Sequence, residues 1–547
     1  MTSDPRAFLA LDFGAATSSA ALIGRIDHRW RLIGSLAVPA SSSADGLIVE
    51  LIRRVGAADA DLAASVGLTD DEGKIDARRL AAELPRLVAR SAPPRTILVC
   101  AVTSRALAPL VAAARGTGWR AREAALEASD PFQLTTRLLD PEVDVVLVGA
   151  GDPPGADERR QLGELAAIVT GAVSRRPDLT VILAGAMTEH LERIESSSGE
   201  RSGELLLAPA ASAASAGEPA GSALRQLLDE IRGGADDPRR AAGRAVGALA
   251  DVLDRRIELI EVGYDAGLRA TASPGIGGND AVATISIVAD AGLVPPESTD
   301  ATVDRVLAWS TMPLDRHRLR DRLRELRLWP WSGIVGDGAR LRLAAARAAM
   351  TILVDATPEQ SALPAPDLVV VSGGAFAVAP GPAVALAIAD VLRRPGAITL
   401  AQDHARLLGT IGVIPDAIER RQALIDLVDD VLTPLGSIVI PGGIRAGASA
   451  GRLTVHAGTG SSDTNLVPGG LEVVDLPPGE VATAEFGFRE PVRLGTRGRH
   501  FAVDVSGGLG GLLVDLRDIP LRLPDRMDRR RELLDAWQES LWPTRDR

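Results

Sequence analysis

Cysteine is nearly missing: Cys100 is the only one in 547 residues, which excludes an internal disulfide and a cysteine-built metal site. Lysine is as scarce. Lys74 is the one lysine among 60 Lys and Arg residues, and its surroundings, "EGKIDA", are not Gly-x-x-x-x-Gly-Lys-Ser/Thr, so a P-loop is excluded. Schiff-base chemistry would rest on that single residue in a polar loop. Aromatics are 3% of the chain, so the cores must be built from Ala, Val, Leu and Ile. No apolar run reaches the roughly 18 residues of a membrane span, and "MTSDPRAFLALDFG" lacks the basic and apolar regions of a secretion signal. A net charge of −12 without a long basic run gives no footprint for nucleic acid. The expected setting is the cytoplasm.

What is present is length and alternation. A chain of 547 residues is too long for one core. Residues 7–38 read as three short strands joined by tight turns, the second near Asp27-His28. "ADGLIVELIRRVGA" has helical periodicity, and buried strands alternate with helices from "TILVCAV" to "TVILAGA". These features predict a first α/β domain over 1–195. Ser, Ala, Gly and Pro then dominate, which predicts a linker or mobile connection over 196–238, with a surface excursion inside one domain as the alternative. A second α/β domain is expected over 239–432, and short strands with Gly/Pro turns predict a β-rich domain over 433–547. Its terminal helix carries Met527, Leu533, Leu534, Trp537 and Leu541 on one side, the pattern of a helix packed on its own domain.

Three glycine turns stand in a telling order. "DFGAATSS" (from Asp12) follows an apolar strand and precedes another, "EVGYDAG" ends a strand about 250 residues later, and "VVVSGGAF" joins a strand to a helix after about 110 more. That order resembles the actin, sugar kinase and heat-shock chaperone superfamily. The narrower resemblance is to the glutamate mutase L family of accessory proteins and spans nearly the whole chain. It rests on "DFGAATSS", "DVVLVGAGDPPGADERRQLGELAAI", "VLAWSTMPLDRHRLRDRLRELRLWPWSGI" with "LAAARAAM", "VVVSGGAFAVAPGPAVALAIADVL" and "SGGLGGLLVDLRDIPLRLP". The resemblance implies two RNase H-like actin-type domains clamping ATP or ADP with Mg2+, plus the β-rich C-terminal domain. By motif position it implies Asp12 and Asp152 as the catalytic carboxylates, with Asp12 also holding the metal. Gly14, Thr17, Ser18 and Gly263 fall at the phosphates, and Gly373 and Gly374 at the adenosine. Polar capping of strand ends is the plainer reading of Asp12 and Asp152.

The departures fall on the phosphate-facing residues. Ala15, Ala16 and Ser19 stand where the family has Ser, Thr and Lys, and Tyr264 and Leu268 where it has Gly and Asp. Charge-stabilising contacts each carry factors of ~10² to 10³ in rate, so ATP hydrolysis is expected to be slow or lost, with binding weakened. A kinase is disfavoured, because Leu268 can act as neither base nor ligand. Resemblance implies an accessory protein with a chaperone or reactivation role toward an adenosylcobalamin-dependent mutase. The chain itself has no Asp-x-His-x-x-Gly cobalamin motif. The alternative is a non-catalytic actin-like scaffold or adaptor for a cytoplasmic protein assembly.

Overall fold

The computed structural model describes residues 6–541, apart from 93, 151–152, 197–201, 212–218, 234–236, 276–280, 282, 295–298, 446, 448, 459 and 540. Its first sheet comprises β1 (Ala7–Phe13), β2 (Thr17–Ile26), β3 (Arg29–Pro39) and β4 (Arg86–Arg90), in the order β3-β2-β1-β4. The β2–β3 turn holds Asp27 and His28 at φ 48° and 67°, the left-handed pair that suits a two-residue hairpin. Successive β1 side chains point to opposite faces. Leu9 and Leu11 pack with Leu47, Ile48, Leu51 and Ile52 of the helix Ala44–Ala58. Ala10, Ala21 and Ile23 pack instead with the helix Pro238–Leu253 from the second half of the chain.

A second sheet follows, built from β5 (Thr96–Ala101), β6 (Arg120–Ala125), β7 (Val145–Gly149), β8 (Thr180–Ala184) and β9 (Leu205–Ala208). Its order is β6-β5-β7-β8-β9 and all pairings are parallel, the 2-1-3-4-5 order of a doubly wound sheet. Its inner strands β5, β7 and β8 are nearly all apolar because helices cover both faces, whereas the edge strand β6 carries Arg120, Arg122 and Glu123. The two clusters on those faces draw only on residues between Ile97 and Ile231. The stretch 196–238 carries β9 and the helix Pro219–Arg232.

The third sheet repeats the plan of the first. It begins with β10 (Ile257–Val262), β11 (Gly267–Ala272), β12 (Thr284–Val288), β13 (Leu368–Ser372), β14 (Gly396–Gln402) and β15 (Thr433–Ile440). The β-rich C-terminal region supplies β16 (Gly451–Ala457), β17 (Gly460–Leu466), β18 (Leu471–Val474), β19 (Val481–Leu494), β20 (Thr496–Ser506) and β21 (Leu512–Asp515). The eight-stranded order is β12-β11-β10-β13-β14-β15-β21-β18, while β17-β16-β19-β20 form a separate antiparallel sheet. In both halves a three-stranded meander leads into a parallel fourth strand beside the first. This is the actin-type plan, twice. The terminal helix Met527–Glu539 packs on the second half, with Leu541 and Trp537 in that core and the Arg517 guanidinium 4.4 Å from the Trp537 ring.

Candidate nucleotide cleft

The first hairpin and its counterpart close in the same way. The Gly14 N–H donates to the Thr17 carbonyl at 2.9 Å, and the Gly263 N–H donates to the Ala266 carbonyl at 3.0 Å. Between them ends β13, whose Gly373 has φ 104° and lies so close to β10 that a Cβ would come 2.2 Å from the Val262 carbonyl oxygen. Gly373 is therefore demanded by the fold itself. Gly374 differs: a Cβ there would meet only Nη2 of Arg406, at 3.2 Å. The three turns surround one cavity of about 210 Å³ lined by Asp12, Gly14, Thr17, Gly263, Gly373 and Gly374. Ser18 is buried within β2 opposite Phe13 and is not among the lining residues. Asp152 lies outside the described residues.

Three further carboxylates and three arginines share the lining: Glu261, Asp265, Asp403, Arg239, Arg342 and Arg406. Burial pushes Asp12 above the usual carboxylate range, with Arg406 and then Arg239 pulling it back. Burial likewise raises Glu261 to about 7. It raises Asp403 to about 6, although Asp403 accepts from the Leu407 and Leu408 N–H groups at 2.8 and 3.1 Å. Arg239 donates from Nη2 to Asp265 at 2.8 Å, but its buried Nε has no partner among the described residues. Arg342 is buried and donates to the Pro330, Ser332 and Gly333 carbonyls. Its pKa is lowered by burial alone, and no carboxylate pairs with it among the described residues. A cation compensated only by carbonyl dipoles favours an anion nearby.

Arg406 has left-handed backbone, φ 57°, uncommon for a residue with a long side chain. Its Nη1 lies 3.7 Å from the Asp12 carboxylate, across the cleft and beyond hydrogen-bond distance. The cavity is also bridged beside the first hairpin by Trp331, whose indole N–H donates to the Ala16 carbonyl at 2.9 Å. Tyr264 lines the cavity while its hydroxyl donates to the Arg327 carbonyl. The cations were not legible in the sequence. The glycine loops announce themselves locally, whereas Arg239 and Arg406 at two helix starts and Arg342 within a third helix belong to an arginine-rich chain and gain meaning only when folded together.

The divalent cation implied for Asp12 fits this donor set poorly. Among the described residues, no three His, Cys, Asp or Glu side chains form a metal-holding group. Asp12 already faces a guanidinium, and a dication about 5 Å from that guanidinium would be repelled by about 7 kcal/mol at an effective dielectric of about 20.

No family model and no curated protein matches the chain. Among solved structures, xylulose kinase from Lactobacillus acidophilus is similar at 12% identity, over 78% of this chain and 92% of its own, with a TM-score of 0.26. The PilM-PilN type IV pilus biogenesis complex shares 12% identity over 77% of this chain and 98% of that one, with a TM-score of 0.23. The Aquifex aeolicus Ppx/GppA phosphatase, type II variant, shares 10% over 78% and 92%, with a TM-score of 0.19. It is the repeated strand order, rather than these loose superpositions, that identifies the fold as α/β with two actin-type halves.

Proposed function

We propose that the cleft binds a nucleotide, hydrolyses it slowly or not at all, and makes the chain a nucleotide-responsive scaffold for another protein. The observation that carries this reading is the convergence of two equivalent glycine hairpins and the Gly373-Gly374 turn on one cavity. Arg342 there has carbonyl but no carboxylate partners among the described residues, which supports an anionic ligand. Hydrolysis is a different demand. It needs groups that stabilise charge developing in the transition state and that orient the attacking water, and Ala15, Ala16 and Leu268 offer neither. The resemblance to glutamate mutase L narrows the client to an adenosylcobalamin-dependent mutase, which this chain would chaperone or reactivate.

Calorimetric titration with adenosine, ADP and ATP tests the site. Gly374→Val places branched bulk at the proposed adenosine turn without touching the backbone packing that Gly373 requires, and a loss of about tenfold or more is expected. ATP binding that ignores this substitution would remove the nucleotide assignment. Turnover is expected to lie far below the ~10 s⁻¹ of a typical enzyme. Purifying the chain with its natural partner and asking whether cobalamin-dependent mutase activity comes with it tests the client.

A further inference from the structure

We propose that Arg406 takes the place of the divalent cation at Asp12, so that the cleft binds its nucleoside diphosphate free of metal. This rests on the nucleotide reading above and adds what neutralises the phosphates. Arg406 lies between the two parts of the site that a nucleotide would join: one terminal nitrogen is beside Gly374 and the other 3.7 Å from Asp12. The side chain is four-fifths buried, and its guanidinium is held in the cleft by a left-handed backbone at 406. Asp403, three residues before, fixes that turn by accepting from the next two N–H groups.

A guanidinium so placed does one part of a cation's work. It offsets the charge of Asp12 and of an incoming phosphate together, and its planar donors can bind two phosphate oxygens at once. The 3.7 Å separation from Asp12 is longer than a hydrogen bond, so donors remain for the ligand. Arg342 and the unpartnered Nε of Arg239 add positive charge on the same lining. The lining also holds Asp12, Glu261, Asp265 and Asp403, so a free diphosphate would depend on the guanidinium of Arg406 beside Asp12 rather than on an excess of positive charge in the cavity.

Calorimetry of ADP in EDTA and in excess Mg2+ tests this on the full chain. Wild type is expected to bind ADP with affinities within about twofold in the two buffers, and Arg406→Ala to lose about tenfold or more in EDTA. A thermal melt of Arg406→Ala checks that the variant is folded, and Arg406→Lys, which keeps the charge without the planar fork, should recover part of the loss. Titration of the nucleotide-free protein with Mn2+, followed by electron paramagnetic resonance, supplies a second readout. Wild type should leave millimolar Mn2+ free in solution. ADP binding that needs Mg2+, or Mn2+ bound by wild type and released by Asp12→Asn, would overturn the assignment of Arg406 alone. ADP binding absent from both buffers would overturn the nucleotide reading with it.

Discussion

Glu261, the penultimate residue of β10, is the most strongly perturbed of the cleft acids with a stated value, raised from 4.5 to about 7 chiefly by burial. A carboxyl whose folded pKa exceeds its unfolded one favours the native state while protonated. That contribution is complete below pH 4.5 and fades as pH rises through about 7. Glu261→Gln removes the ionisation and keeps the shape, so it should stabilise the protein at pH 8 by about 2–3 kcal/mol. Thermal melts at pH 8 and pH 5 check this: the gain in Tm should be several degrees at pH 8 and should shrink at pH 5. A loss of Tm at pH 8 would mean instead that Glu261 is ionised and usefully paired with Arg239. Tyr264 makes a second case. Its ring stands at the loop position where the family resemblance calls for glycine, and Tyr264→Gly should improve ATP binding relative to ADP. Parallel titrations of the two nucleotides decide whether the ring is what restricts the phosphate end.

At the scale of elements, a buried charge network ties the C-terminal region to the second half. Asp390, on the helix Gly381–Leu392, receives Arg347 at 2.6 Å and Arg517 at 2.8 Å. Asp515, at the end of β21, receives Arg517 and Arg393. All five side chains, Arg347, Arg393, Arg517, Asp390 and Asp515, are at most 8% exposed. Asp390→Ala would leave Arg347 and Arg517 without that carboxylate, and losing one partner of a buried pair costs about 3–5 kcal/mol. Urea unfolding should register that loss, whereas Arg160→Ala, at an exposed pair on the helix Ala156–Val173, should change stability by less than about 1 kcal/mol. This network also marks the limit of what the sequence makes legible. The Asp27-His28 turn, the glycine hairpins and the strand Leu368–Ser372 follow from local chemistry and can be read directly. The division of the C-terminal strands between two sheets depends on β15, β18 and β21 pairing across intervening strands, and no short window encodes such a choice. Short amphipathic β4 was likewise hidden beside longer apolar strands.

Across the whole molecule, the five-stranded sheet stands as a guest between two halves that share a core. Ala10, Ala21 and Ile23 of the first sheet are buried with Ala242, Val246 and Leu249 of the second half, and Arg31 pairs with Asp430 at 2.9 Å. The guest needs neither half for its own cores, since both of its hydrophobic clusters are drawn from residues between Ile97 and Ile231. Its entry and exit are adjacent: the Arg95 guanidinium donates to the Ile231 carbonyl at 2.8 Å. Its contacts with the second half include the pair Arg115–Asp290 at 3.4 Å and the packing of Gly118 on Ile287. A compact unit with its own core and neighbouring termini is the kind of segment that can be excised or expressed alone. Residues 94–233 should therefore fold alone, with a cooperative thermal transition and native-like far-ultraviolet circular dichroism. The complementary protein, with 96–230 replaced by a short Gly/Ser linker, should remain folded and keep its affinity for ADP within about threefold, because among the described residues none of the cleft lining comes from the excised segment. An unfolded 94–233 fragment would show that its two clusters do not suffice without the body. A folded but ADP-blind remainder would show that the guest sets the geometry of the cleft from a distance, through the β12 contact beside the second hairpin.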